Sequence, residues 1–229
     1  MDALLEELAG LAANREHLTV VDVQDMIATA TALTRVALKG AGINARAIQQ
    51  ITTKFRDAGR RSPPWKPASG KVPGRPQDGA DGNRRLRWLF EPSHKFYADE
   101  INATLVEVRY YLQTLSMTNA PALPPGSIQD AFVWLTGHRI EPGQYRDPIQ
   151  LIDMDLLQFA ADTRGVVSGH LVPLDRGGRH EPANAFLMLY RSNQLQGNLT
   201  VQELLELMDD ILARHRDAQA LGTAPEQQV

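Results

Sequence analysis

The side chains most able to do chemistry lie between residues 168 and 198, in the run S-G-H-L-V-P-L-D-R-G-G-R-H-E-P-A-N-A-F-L-M-L-Y-R-S-N-Q-L-Q-G-N. His170 is followed by Asn184 and then by Asn193, with Pro173 and the pair Gly177-Gly178 between the first two. An imidazole can take up and return a proton near neutral pH. A carboxamide can donate and accept hydrogen bonds, and its oxygen can bind a cation. Arg176, Arg179 and Arg191 flank the same run. Three cations around one motif favour an anionic substrate, although each alone reads as a solvated surface charge. The polar residues have plainer readings too: a strand histidine, a turn asparagine and a helix-surface asparagine. His180 reads as a surface loop residue.

The elements that would position these groups are short. Val166 to Leu171 has the composition of a strand, which Pro173 ends, and Gly177-Gly178 permits a sharp turn with positive φ. Asn184 to Leu189 reads as a second strand, and Arg191 to Gly197 as the opening of a short helix. Strand, loop, strand and helix would bring residues 170, 184 and 193 together. Spacing alone does not establish that convergence.

The run resembles the HNH nuclease motif, whose two strands and helix surround one metal ion (the ββα-metal site). His, Pro, Gly-Gly, Asn, Asn and Gly all fall at that family's spacing, over about 30 of the 229 residues. The resemblance implies a phosphodiester hydrolase. His170 corresponds to the general base, Asn184 to the residue that braces the intervening loop, and Asn193 to a metal ligand. Gln196-Gly197 stands where the family often has Lys-Gly. An oxygen ligand such as Asn193 suits Mg²⁺ or Mn²⁺ better than zinc. DNA is the implied substrate, and restriction, phage-related and other defence systems are the implied settings. One departure matters. The family usually has Asp, sometimes His, just before the base, as a second metal ligand; here that residue is Gly169. Three outcomes stay open: another residue supplies the ligand (Asp162, Asp175 and His180 are nearby), substrate phosphate and water complete the shell, or the site is inactive.

Composition sets outer bounds. A hydrophobic fraction of 43% is enough for a true core, and a net charge of −3 does not mark the whole chain as a nucleic-acid binder. The average hides a local bias. From Lys54 to Lys95 there are eleven Lys/Arg and four Asp/Glu, an excess of seven positive charges that leaves the remainder at −10. Phosphate would be met there. With no cysteine, disulfides and Cys-ligated zinc are excluded. The acidic start M-D-A-L-L-E-E-L is unlike a signal peptide, and no run of about 18 apolar residues suggests a membrane span. A cytoplasmic protein is the expectation.

Residues 1–59 read as a helical N-terminal region: Leu4, Leu5, Leu8 and Leu11 recur at helical spacing, Thr19 caps a second helix reaching about Lys39, and Asn44 opens a third. A helix-turn-helix is the weaker reading of the same pattern. Residues 60–92 form a basic Pro/Gly-rich linker, with Trp65, Trp88, Phe90, Phe96 and Tyr97 in or beside it as candidates to stack on bases. Residues 93–164 form a helical region: a long helix over about Ser93 to Met117, a short one capped by Ser127 through Leu135, and one capped by Asp153. His94 and His138 read as structural, and Tyr110-Tyr111 as packing residues. Residues 165–217 hold the HNH-like unit and a last helix, opened by a Thr200/Glu203 capping box. That helix carries Val201, Leu204, Leu205, Met208, Ile211 and Leu212 as an apolar stripe, and residues 218–229 read as a frayed tail.

The expected fold class is therefore α+β, mostly α-helical, with a helical N-terminal region and a C-terminal ββα-metal unit. The expected function is metal-dependent DNA cleavage, possible as a homodimer if both strands are cut. Two alternatives remain. One is a non-catalytic nucleic-acid-binding module on the same scaffold. The other is a helical interaction protein working through residues 2–38 and 200–217.

Overall fold

A computed structural model describes residues 1–63, 84–126 and 128–221. The chain is mostly helical, with one two-stranded antiparallel sheet, an α+β arrangement. The N-terminal region forms α1 (Asp2–Ala13), α2 (Val20–Gly40) and α3 (Ala45–Gly59). Local chemistry starts them where expected. Thr19 and Asp22 form a reciprocal capping box at α2, and the Asn44 side chain accepts from the Ala47 N–H at α3. Their apolar faces (Leu5 and Leu8; Met26 and Leu33; Ile51 and Phe55) are buried in one continuous core that extends to Leu187 in the second strand.

The centre of that core is α4 (Glu100–Leu115), in which every residue from Ala103 to Leu115 is buried. It begins later than the sequence pattern suggests. The Asp99 carboxylate caps it by accepting from the Asn102 N–H at 2.8 Å, and residues 93–96 form turns, followed by irregular chain to Asp99, instead of a first helical turn. A helix covered on all sides must satisfy its polar groups internally, and α4 uses them to hold its neighbours. Glu107 pairs with Arg60 at 2.5 Å. Arg109 donates to the carbonyls of Ala185 (3.2 Å) and Thr136 (3.3 Å) and lies over the Phe186 ring. Gln113 accepts from the Leu187 N–H at 3.2 Å. The α3–α4 crossing is close because Gly59 has no side chain: a Cβ there would sit 2.6 Å from Glu107 Cβ.

Two short helices follow, α5 (Val133–Thr136) and α6 (Leu156–Ala161). The Ser127 cap expected before α5 lies outside the described residues, as do Trp65 and most of the Pro/Gly-rich linker. Asp155, not Asp153, caps α6, accepting from the N–H groups of Leu157 and Gln158. Asp153 instead pairs with Arg146 at 2.9 Å. The C-terminal unit is β1 (Val166–His170), β2 (Ala185–Leu189) and α7 (Tyr190–Gln196), with His170 opposite Ala185 and Val166 opposite Leu189. The long α8 (Val201–Ala220) starts at the Thr200/Glu203 capping box. No helix among the described residues is long and apolar enough to cross a membrane.

Candidate functional site

Three groups outside the motif hold it in place. Lys54 of α3 donates to the carbonyls of Thr163 and Val166, fixing the start of β1. Asp147 is fully buried and accepts from the N–H groups of Ile149, Gln150 and Leu189 and from Ser192 Oγ, which fastens the β2–α7 junction. Tyr145 donates to the Leu187 carbonyl. Strand and helix therefore meet at a fixed angle, and His170, at the end of β1, and Asn193, on α7, line one cleft of about 490 Å³.

The loop between the strands is tied by Asn184. Its Oδ1 accepts from the Val172 N–H at 2.8 Å, and its Nδ2 donates to the carbonyls of Val172 (2.9 Å) and Arg179 (2.8 Å). Gly177 takes the left-handed conformation, with φ 84°. Gly178 has no room for a side chain, since a Cβ would collide with the Val172 carbonyl and meet Asn184 Nδ2 at 2.9 Å. Gln196 closes the other side. Its buried amide donates to the carbonyls of His170, Leu171 and Leu199.

His180 is the main correction. Instead of lying on the surface it is 1% exposed. Its Nε2 lies 2.7 Å from the Gly59 carbonyl oxygen and its Nδ1 lies 2.9 Å from His170 Nε2. A carbonyl only accepts, so His180 carries its proton on Nε2. Burial, with Arg87 and His170 nearby, holds its pKa well below the usual histidine value, so the ring is neutral and Nδ1 is an acceptor. His170 must then donate from Nε2. Its Nδ1 is left with a lone pair that has no partner among the described residues and is not among the sealed, unpartnered atoms. Burial and the charge of Arg87 hold the His170 pKa down to about 3, so this ring also is neutral at ordinary pH. Sequence spacing could not reveal the relay, because Gly59 is 121 residues from His180.

The Asn193 carboxamide makes no hydrogen bond among the described residues, and its Oδ1 lies 3.0 Å from where a Cβ on Gly169 would be. That same position is 2.5 Å from Met188 Sδ. The thioether thus occupies the space next to His170 where the resemblance would place a second ligand. Of the carboxylates considered from sequence, Asp175 lines the cleft and pairs with Lys95 at 2.6 Å, whereas Asp162 is not among the cleft residues. Sequence reasoning missed Asp57, on α3, which also lines the cleft. One of its oxygens is buried without a hydrogen-bond partner, with Arg56 and Arg61 nitrogens at 3.6 and 3.9 Å. No three His, Cys, Asp or Glu side chains converge as a ready metal cage among the described residues.

The cleft's cations are Lys54, Arg61, Arg84 and Arg87, all from the basic segment, and not the three arginines of the motif. Arg176 pairs with Glu203 at the start of α8. Arg179 and Arg191 are exposed and do not line the cleft. At roughly 100° per residue, Arg191 points away from the Asn193 face of α7. Arg87 is buried and donates to the carbonyls of Gly59, Ala58 and Phe96, so it acts on the site through its charge. Phe90, His94 and Phe96 pack on one another. Tyr110 and Tyr111 are buried against Phe55.

No protein-family profile matches the chain, and no curated protein matches it. Among solved structures it is similar to one titled "Crystal structure of a type II restriction endonuclease", at 18% identity and a TM-score of 0.44. That match covers 52% of this chain and 54% of the other, so the chain spans about half the length of that protein.

Proposed function

We propose that this protein is a metal-dependent endonuclease that hydrolyses phosphodiester bonds in DNA, with His170 as general base. One observation carries the reading. A neutral imidazole with its proton directed to one partner keeps a lone pair on its other nitrogen, and it shares a cleft lined by Lys and Arg with a carboxamide; neither the lone pair nor the carboxamide has a partner among the described residues. Proton abstraction from water, with cationic surroundings for a phosphate, is what such an arrangement can do.

In the proposed step His170 Nδ1 takes a proton from a water. The resulting hydroxide oxygen bonds to phosphorus as the bond to the leaving oxygen breaks. His180 acts as a positioning residue, keeping His170 in the Nδ1-acceptor tautomer and anchored to the end of α3. Asn184 and Gln196 hold the loop and strand end on either side. Lys54, Arg61 and Arg84 draw the phosphate backbone into the cleft, and Arg176, Arg179 and Arg191 are outer contacts for the flanking duplex.

The donor set fits a hard ion held jointly with substrate. Asn193 Oδ1 and the Asp57 carboxylate are oxygen donors, and one Asp57 oxygen makes no hydrogen bond, its neighbours being the Arg56 and Arg61 cations at 3.6 and 3.9 Å. These would hold Mg²⁺ or Mn²⁺, with phosphate oxygens and water completing the shell. When bound, the ion would offset negative charge on the phosphate and leaving oxygens. Two such sites, one per strand, would be brought together by a homodimer.

A second reading has its own support. Met188 fills the position beside Gly169, which favours a non-catalytic DNA-binding module. Supercoiled plasmid incubated with Mg²⁺, Mn²⁺ or EDTA separates the two. Nicked or linear product that needs metal supports the nuclease. Intact plasmid in every lane, from protein that shifts DNA in a gel, supports the binding module and contradicts the proposal.

A further inference from the structure

The polar face of α3 leads out of the cleft. At about 100° per residue, Arg46, Gln50, Thr53 and Asp57 fall within an arc of about 60° on that helix, with Gln49 at one edge and Lys54 at the other. The opposite side carries Ile48, Ile51 and Phe55 and is buried in the core. Asp57 and Lys54 line the cleft. Arg46 lies roughly 12 Å from Lys54 along the helix axis, at about 1.5 Å per residue.

Two further hollows follow the cleft along this face. The nearer, about 390 Å³, is lined by Gln49, Gln50, Thr53 and Lys54 of α3 and by Thr163 and Arg164. The farther, about 500 Å³, takes in Arg46 and shares Gln50, Thr163 and Arg164 with the nearer one. Lys54 borders both the nearer hollow and the cleft. The three therefore stand in a row, in the order of the residues along α3. Their second wall is the turn before β1, the strand that ends in His170. That turn is tied to α3: Lys54 donates to the Thr163 and Val166 carbonyls, and Thr163 Oγ1 donates to Gln50 Oε1 at 3.4 Å.

Charge and donor chemistry identify the occupant. The helix α3 carries Arg46, Lys54 and Arg56 against Asp57, whereas α1 carries Asp2, Glu6 and Glu7 with no Lys or Arg. Arg46 is exposed and makes no ion pair or hydrogen bond among the described residues. Arg164, with 92% of its side chain exposed, pairs with its neighbour Asp162 at 3.3 Å. Such a surface pair contributes little and yields readily to a phosphate. Beside these cations stand the amides of Gln49 and Gln50 and the Thr53 hydroxyl. Cations spaced along a groove among amide and hydroxyl groups match a sugar–phosphate backbone. A lipid surface would need apolar side chains on this face, and the arc has none. At about 3.4 Å per base step, 12 Å of helix spans three to four nucleotides.

We propose that α3 and the Thr163–Arg164 turn form a backbone track that holds about three to four nucleotides of DNA to one side of the scissile phosphate, with Arg46 and Arg164 as phosphate contacts. The proposal rests on the reading of the cleft as a DNA site. Fluorescence anisotropy tests it in EDTA, over a salt series, with a labelled DNA duplex long enough to overrun the cleft on both sides. The double variant Arg46→Ala, Arg164→Ala is expected to bind about tenfold more weakly and to lower the log–log salt slope by about two, one for each lost phosphate contact. Both arginines are exposed, so the variant folds as the wild type does. Arg15→Ala, at an exposed arginine that lines a separate hollow beside α1, is expected to change neither value. Arg84→Ala reports on the cleft itself. A wild type with no affinity for DNA overturns the track and the nuclease reading together. A wild type that binds, is weakened by Arg84→Ala, and loses no more with the track variant than with Arg15→Ala overturns the track and leaves the nuclease reading standing.

Discussion

Replacing His180 with Ala removes two hydrogen bonds from a buried place. The His170 Nε2–H loses its acceptor at 2.9 Å, and the Gly59 carbonyl loses a donor at 2.7 Å. The carbonyl keeps Arg87 Nε at 3.0 Å, so the larger cost falls on His170. Leaving one buried donor unpartnered costs about 1–3 kcal/mol, and the space left by the ring adds to it, for roughly 2–4 kcal/mol in all. The chemical effect is separate. Without an acceptor at Nε2 the His170 proton redistributes between the two nitrogens and the ring loses its anchor. Misplacement of a reacting group on this scale costs about 10²-fold in rate. His180→Asn restores an acceptor oxygen close to the old Nδ1 position, so it should recover much of the rate while still lacking the tie to Gly59. The assay has two parts: ¹⁵N-histidine NMR to locate the His170 proton, and cleavage rates of the three proteins under conditions where all are folded. The reasoning fails if wild-type His170 carries its proton on Nδ1, or if folded His180→Ala cleaves at the wild-type rate.

Other expectations follow from the same geometry. The folded-state pKa values of His170 (about 3) and His180 (well below the usual value) lie under their unfolded value of about 6.5, so the folded state binds fewer protons. Their stabilising contribution is complete above pH 6.5 and is lost as pH falls towards the folded values. At pH 5.5 the loss from His170 is on the order of 1 kcal/mol, and His180 shifts stability in the same direction. Urea midpoints at pH 7.5 and 5.5 measure it, and equal midpoints would contradict the buried neutral pair. Asn193→Ala and Asp57→Asn should each weaken Mn²⁺ binding about tenfold in the presence of uncleaved DNA, read by electron paramagnetic resonance; unchanged affinity in both would remove these residues as ligands. Gly169→Asp alone should destabilise by about 1–3 kcal/mol through contact with Met188, and adding Met188→Ala should relieve this and tighten Mn²⁺ binding. Calorimetry and metal titration read the two effects, and a Gly169→Asp protein as stable as wild type would show that the thioether moves aside freely.

Sequence signals are legible where the physics is local. The caps at Thr19, Asn44 and Thr200 start their helices as the residue types require, and the two strands of the C-terminal unit lie within a residue of where β-propensity and Pro173 put them. Competing caps were harder. Asp153 and Asp155 are both plausible, and only the Arg146 pairing decides which one is free to cap. The sequence pattern continues upstream of Asp99 and so places the start of α4 too early; the Asp99 cap sets the helix end. The site was legible only in part. His170, Asn184 and Asn193 stand out by spacing, whereas His180 and Asp57 do not: His180 bonds to Gly59, 121 residues away, and Asp57 matters only because the fold brings α3 to the cleft that His170 and Asn193 line. The positive segment from Lys54 to Lys95 did point to the cleft: Lys54, Arg61, Arg84 and Arg87 line it, while the motif's own arginines lie outside. The stripe on the last helix was visible in sequence. Sequence could not tell that it faces water, because an amphipathic pattern says that a face is covered, not by what.

The role of His170 can be tested most directly by removing its imidazole and supplying another. His170→Gly, matched to wild type for folding and DNA binding, should lose metal-dependent plasmid cleavage and regain part of it when imidazole is added. The regained rate should rise with pH as free imidazole loses its proton. A His170→Gly protein that cleaves as fast as wild type without imidazole would contradict the assignment of His170 as the base, and a wild type that cleaves with neither Mg²⁺ nor Mn²⁺ would contradict the nuclease itself.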